Sequence, residues 1–386
     1  MLRAGIYIGW VGFLNLGDEA MYELCRRRFD NTHWSRLEEI AYSPHPGQFS
    51  LQRTGDLRQL FEVFSDECRT HRRMFGIYTK IMHKVAFYSG REIGILGGGT
   101  LINRNAGALE NYVSVRKRTG TLVPTFGSGV INPKFWLTRE DGWSDRRREW
   151  VSVLAELPVV GVRGPISKAL LDEAGARNVL ISGDPAVAFH RPYAGKSAVE
   201  HSGQPLLIGI NTGDCSGKMW GNPEDVEESL VALVRWLRQS NHQVAIFPVW
   251  QKDTKACENL ARRARLDRCV VSPVCYTAGE FLSRVEKLDL MVCLKLHAGV
   301  LAAAANVPFV SLEYQPKCRD FAASIGWEQF VVRTDKISPN GLIDLVAVLI
   351  EQLEPRRTAL CRQMCLIMEG FEGYCDEIET FWSASG

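Results

Sequence analysis

Short apolar runs alternate with amphipathic stretches along nearly the whole chain. Gly5–Gly9 reads as a strand, and Asp18–Arg28 as a helix with Met21, Leu24, Cys25 and Arg28 at helical spacing. Glu92–Leu96 predicts a strand running into Gly97-Gly98-Gly99, and Leu122–Phe126, Val159–Arg163 and Leu180–Ser182 predict further strands. Pro165–Ala174 has proline at the first position of a helix. The alternation lapses over residues 191–205, which are polar, aperiodic and carry proline and glycine, the marks of a linker. It restarts with strands at Leu206–Asn211, Val244–Val249, Leu290–Leu294 and Pro308–Glu313. Helices fall between them: one capped by Asn222 ahead of Pro223, one over Thr254–Leu266, one opened by a capping box from Thr277 to Glu280, and one over His297–Ala305. Residues 342–385 read as helical, with Leu342, Leu345, Val346 and Leu349 on one face. The expected class is α/β: two domains with mostly parallel sheets over 1–190 and 206–340, then a helical segment over 341–386.

Composition narrows the partners. The 386 residues carry 46 Lys plus Arg against 44 Asp plus Glu, a net charge of +2, which excludes a nucleic-acid binder relying on bulk positive field. Hydrophobic residues at 46% and charged residues at 23% suit a soluble globular protein. The 11 cysteines are odd in number and scattered, with no Cys-x-x-Cys pair. Cys361 and Cys365 come closest, and a spacing of four is poor for zinc, so reduced thiols in a cytoplasmic protein are expected. No His, Asp or Glu spacing suggests a metal site. Met1-Leu2-Arg3 and the apolar run behind it imitate a signal peptide but lack a small-x-small cleavage site, so a buried first strand is the better reading. The longest apolar stretch, Ala298 to Leu312, is broken by Asn306 and Pro308 and is too short for a membrane span.

In parallel α/β sheets ligands bind beyond the carboxyl ends of the strands, so polar residues at strand exits are the candidates for chemistry. Four places qualify. The first runs from Gly9 and Trp10 through Asn15 to Asp18 and Glu19, where glycines and a helix start admit a ligand; Asp18 is equally a plain helix cap. At the second, Gly97-Gly98-Gly99, bare backbone serves either a ligand or tight packing. The third is Arg163 beside a helix N-terminus, a place for an anion. The fourth is Lys295-Leu296-His297, a cation and a histidine suited to an anionic substrate and proton transfer. Trp10 and Trp220 are candidates to stack on a sugar, with ordinary packing as the plainer alternative. Gly213 to Met219 fails as a phosphate loop: it is one residue short and has Met219 where Ser or Thr would bind magnesium. Gly9 to Gly17 lacks the dinucleotide fingerprint.

Taken in order, several motifs resemble the polysaccharide pyruvyl transferase family. They are Gly12-Phe13-Leu14-Asn15-Leu16-Gly17-Asp18-Glu19-Ala20, Leu96-Gly97-Gly98-Gly99-Thr100-Leu101, Val162-Arg163, Gly183-Asp184-Pro185-Ala186, Leu296-His297-Ala298, and Val307 to Ser311 followed by Tyr314-Gln315-Pro316-Lys317. The resemblance implies two Rossmann-like domains facing across a cleft, as in glycosyltransferase B folds. It also implies transfer of the enolpyruvyl carbons of phosphoenolpyruvate to two hydroxyls of a glycan or glycolipid sugar, giving a pyruvate ketal and phosphate, with no further cofactor. His297, Asp18 and Glu19 are then the expected acid–base groups, and Arg163, Lys295, Asn15, Gly98, Gly99 and Trp10 the expected substrate contacts. Two departures stand out: Lys295 where the family commonly has Arg, and Gly164 where an acidic residue often follows the Arg. The same fold also serves nucleotide-sugar glycosyltransferases, and a non-catalytic glycan-binding relative is a third reading.

Overall fold

A computed structural model describes residues 3–9, 11, 15–29, 32–37, 92–104, 106–136, 143–191, 204–215 and 217–384. Trp10 and most of the expected linker lie outside the described residues. In the first half, β1 (Arg3–Ile8) pairs in parallel with β2 (Thr32–Leu37) and β3 (Glu92–Leu96). A second parallel sheet runs in sequence order through β4 (Gly99–Ile102), β5 (Ser128–Val130), β6 (Val160–Val162) and β7 (Val179–Ile181). The strand expected over Leu122–Phe126 is replaced by a single bridge between Leu96 and Thr125. Pro124 has no N–H for a ladder, and Gly127 at φ +62° redirects the chain into β5. The two sheets are tied where Phe126 N donates to Leu96 O and Ser128 Oγ to Gly97 O at 2.6 Å.

The second half holds one five-stranded parallel sheet in the order β12-β11-β10-β8-β9. Its members are β8 (Leu207–Asn211), β9 (Gln243–Ile246), β10 (Leu290–Cys293), β11 (Phe309–Glu313) and β12 (Val331–Arg333). Every residue of β10 and β11 is buried, the pattern of strands covered on both faces by helices. The helices that place functional residues are α1 (Leu16–Arg28), α2 (Pro165–Asp172), α3 (Thr254–Arg263), α4 (Leu296–Ala304) and α5 (Pro316–Ser324). The C-terminal segment is two helices, α6 (Pro339–Glu351) and α7 (Leu353–Ala384). Leu342, Val346 and Leu349 on α6 face the core as expected.

Helix α7 belongs to both halves. Near its start, buried Arg357 donates to the carbonyls of Asn306 and Asp289 at 3.0 Å each. About five turns on, Tyr374 Oη donates to Thr125 O at 2.8 Å and accepts from Gly161 N at 3.1 Å in the first half. The halves also meet directly, through Leu16 N donating to Val249 O at 3.1 Å and a bridge between Asn15 and Trp250. Among the described residues, no helix is long and apolar enough to cross a membrane, and the ten described cysteines form no disulfide.

Candidate functional site

The carboxyl ends of strands from both halves turn toward the seam between them, and the charged residues gather there. Asn15, not Asp18, caps α1: its side chain accepts from Gly17 N at 3.4 Å. That leaves the Asp18 carboxyl in the first turn of the helix and available for other work. Gly17 is a requirement of close approach, because a Cβ on it would lie 1.7 Å from His297 Nδ1. The start of α1 is thus pressed onto the imidazole that opens α4.

His297 is 12% exposed, with Nε2 3.8 Å from Asp184 Oδ2 and without a hydrogen-bond partner among the described residues. Asp184 also receives Arg163 Nε at 3.0 Å, and this pair is sealed, at 1% and 0% exposure. Arg163 Nη2 is buried and has no hydrogen-bond partner among the described residues. Arg163 does not use the helix N-terminus beside it as an anion site. Asp320, reaching over from α5, already occupies that end, accepting from Ile166 N at 2.9 Å, Ser167 N at 3.1 Å and Ser167 Oγ at 2.6 Å. This also explains Gly164: a Cβ there would stand 2.1 Å from Asp320 O, so an acidic side chain has no room, and the carboxylate arrives from the other half instead.

Lys295 is the N-cap residue of α4 and lies 14% exposed, tied to Asp214 O and 3.4 Å from Asp253 Oδ1. Lys317, in the first turn of α5, stacks 5.0 Å above the Tyr314 ring, on which Lys295 also lies at 5.7 Å. Lys317 interacts electrostatically with Arg163, Asp18 and Lys295, which makes it the cation at the centre of the seam. Glu19, half-buried, adds its charge to that of Asp18.

Burial sets the proton affinities. It lowers His297 to about 4, against the opposing pull of Asp184 and with help from Arg163 and Lys317. It raises Asp18 to about 7, against the pull of Lys317 and Arg163. Burial also lowers Lys317, while the Asp18 charge works against the drop. Near neutral pH the imidazole is therefore an unprotonated base, and the carboxyl, close to its titration point, can both hold and give up a proton. Pairs of groups driven apart in this way take opposite acid–base roles.

The other expected contacts divide. Gly98 is buried: its N–H donates to Tyr7 Oη at 3.2 Å, and a Cβ on it would lie 2.0 Å from Met21 Sδ. Its glycine serves packing. A Cβ on Gly99, at φ +103°, would meet only Leu101 at 3.8 Å among the described residues. Trp220 is a packing residue, with Arg333 4.4 Å over its ring and Phe135 of the first half edge-on at 4.8 Å. Asp253 and Asp320 had no role at the level of sequence, and Asp184 and Lys317 stood there in family motifs without an assigned role. Besides its motif, Lys317 carried a physical signal: a lysine in the first turn of a helix opposes the dipole and needs another reason to be there.

Comparison with known proteins agrees with this architecture. HepE from Anabaena, in complex with UDP and glucose, superposes with a TM-score of 0.53 at 11% identity, over 99% of this chain and 100% of that one. A Listeria monocytogenes protein provisionally assigned as a UDP-N-acetylglucosamine 2-epimerase gives 0.55 at 11%, covering 98% and 95%. S. aureus MnaA with UDP gives 0.51 at 10%, covering 94% and 90%. At such identities the likeness establishes the fold alone: two Rossmann-like domains arranged as in glycosyltransferase B enzymes. No curated protein is significantly similar in sequence. The family model of polysaccharide pyruvyl transferase, however, matches residues 15–316, from the Asn15 cap to the first residue of α5. The chain is a transferase that belongs to the polysaccharide pyruvyl transferase family.

Proposed function

We propose that the protein transfers the enolpyruvyl group of phosphoenolpyruvate to two hydroxyls of a glycan or glycolipid sugar, forming a cyclic ketal and releasing phosphate. The observation that carries this reading is the gathering of Asp18, Arg163, His297, Lys295 and Lys317 at strand exits from both halves, within the span of the family match. Phosphoenolpyruvate brings a carboxylate and a phosphate, and each needs charge-assisted donors. The Lys317 and Lys295 ammonium groups and the unpartnered Arg163 Nη2 suit that task.

The chemistry follows from the proton affinities. Neutral His297 takes the proton of the first sugar hydroxyl as its oxygen bonds to C2 of the substrate, while protonated Asp18 delivers a proton to the methylene carbon. The C2–C3 double bond is consumed, and a methyl group and a tetrahedral phosphate adduct result. The second hydroxyl then displaces phosphate, and its proton leaves with the phosphate or a carboxylate. Of the two hydroxyl protons, one makes good the proton that Asp18 gave to carbon and the other leaves with the phosphate, so His297 and Asp18 end as they began and the exchange balances.

The test is turnover of phosphoenolpyruvate with a panel of glycan acceptors in deuterated water. The expected result is stoichiometric inorganic phosphate and one deuterium in the ketal methyl. Release of a nucleoside diphosphate from a sugar nucleotide, with phosphoenolpyruvate inert, replaces this reading with that of a glycosyltransferase.

A further inference from the structure

Away from the seam, three metal-ligating side chains converge. His190 follows a short 3₁₀ turn, Pro185–Phe189, that starts at Asp184; Cys361 and Cys365 are one helical turn apart on α7. Their Nε2 or Nδ1 and Sγ atoms all lie within 4.8 Å of one another, and Cys365 Sγ is 3.5 Å from His190 Nε2. A tetrahedral zinc ion with bonds of about 2.3 Å to sulfur and about 2.0–2.1 Å to nitrogen needs donor separations of about 3.5–3.8 Å. The remaining gap is at most about 1 Å.

The imidazole is already set as a ligand. Its Nδ1 lies 3.3 Å from Ala304 O, and a carbonyl only accepts, so the proton sits on Nδ1 and the Nε2 lone pair points at the thiols. Metal-binding histidines are oriented in this way by a carbonyl on the far nitrogen. Burial lowers the proton affinity of the ring, which favours the same neutral form. A simple thiol–imidazole hydrogen bond would need one cysteine, whereas two converge. Both thiols are half-buried rather than sealed, so an ion has a way in.

We propose that His190, Cys361 and Cys365 bind a thiophilic d¹⁰ cation of the zinc class, with a fourth position open to water. Two thiolates and an imidazole select such an ion over magnesium or calcium. The place in the fold gives the ion a purpose. It falls on α7 between Arg357, anchored to the second half, and Tyr374, anchored to the first. Through the 3₁₀ turn it reaches Asp184, the shared partner of Arg163 and His297. The ion clamps the helix shared by both halves onto the segment that carries the carboxylate of the candidate site.

Metal-free full-length protein titrated with Co²⁺ tests this directly, followed by competition of Zn²⁺ against a chromogenic chelator and by thermal melting. The wild type is expected to bind one equivalent, to show thiolate-to-cobalt charge transfer with tetrahedral d–d bands, and to melt higher with Zn²⁺. Cys361→Ser, Cys365→Ser and His190→Ala should each weaken binding at least 10-fold and abolish the melting shift. Cys269→Ser, at an exposed thiol elsewhere, should change neither. No stoichiometric binding by the wild type overturns the proposal, and so does binding that survives both cysteine substitutions. None of these readouts depends on the transferase reaction, so the clamp and the proposed function stand or fall separately.

Discussion

Two strand exits, one from each half, are built to the same local plan and end in different environments. Arg163 leaves β6 and Lys295 leaves β10, and each meets a buried aspartate, Asp184 or Asp253. Arg163 is 1% exposed, because α5 of the opposite half closes over it with Asp320 and Lys317. Lys295 is 14% exposed and is held by its own half, through Asp253 and Asp214 O. The planar guanidinium gives Nε to Asp184 and retains Nη2, whereas the ammonium is a rotatable point charge. Domain closure, rather than the strand-exit pattern, therefore decides which cation is sealed and which can follow a ligand.

The largest expected effect lies where the halves touch. His297→Ala should lower kcat by about 10²–10⁴-fold with little change in phosphoenolpyruvate affinity, since a general acid–base group is lost and the cations remain. Near-normal turnover in steady-state assays would remove His297 from the chemistry.

Next come the two aspartates. Asp184→Ala strands a sealed guanidinium and should cost about 3–5 kcal/mol in chemical denaturation. Asp253→Ala leaves Lys295 able to turn toward water and should cost about 1–3 kcal/mol. Equal losses would erase the contrast between the two exits. Gly164→Glu tests the closure itself: with backbone of Asp320 2.1 Å from the new Cβ, overpacking should cost about 1–3 kcal/mol despite matching the family's usual residue.

A smaller effect concerns pH. His297 titrates at about 4 in the folded chain against an ordinary 6.5, so between those values the unfolded state binds more protons and stability rises with pH. Asp18 titrates at about 7 against an ordinary 3.8, so the folded state binds more protons there and stability falls as pH rises. The two slopes oppose each other between about 4 and 6.5 and nearly cancel. Denaturation of Asp18→Asn should expose the rising slope of His297, and His297→Ala the falling slope of Asp18. Unchanged slopes in both variants would mean that neither proton is held as described. Least of all, Trp220→Ala should leave the acceptor KM unchanged while lowering the melting temperature, because its ring is occupied by Arg333 and Phe135. A raised KM would return it to the sugar site.

The two halves also differ in how legible they were. In the second, β8, β10 and β11 fall within one residue of the expected spans, because strands buried on both faces are written as unbroken apolar runs. In the first, β5 to β7 are three residues each; β6 and β7 fall within one residue of the expected spans, but β5 starts two residues past the end of the nearest one, which contains Pro124, with Gly127 between. Such short strands leave little periodicity to read, and side-chain bonds such as Ser128 to Gly97 O complete them. Of the candidate residues, Asp18, Arg163, Lys295 and His297 were legible because each stands at a strand exit in a motif.

By itself the sequence determined the α/β class, the carboxyl-end placement of the chemistry and the order of family motifs, since all three are properties of local pattern along one chain. Tertiary structure alone decided that Gly17 packs against His297, that Asp320 fills the helix end beside Arg163, and that Cys361 and Cys365 gain His190 as a third donor. Each of these depends on a partner far away in sequence, and so do the burial and the neighbouring charges that set a proton's affinity.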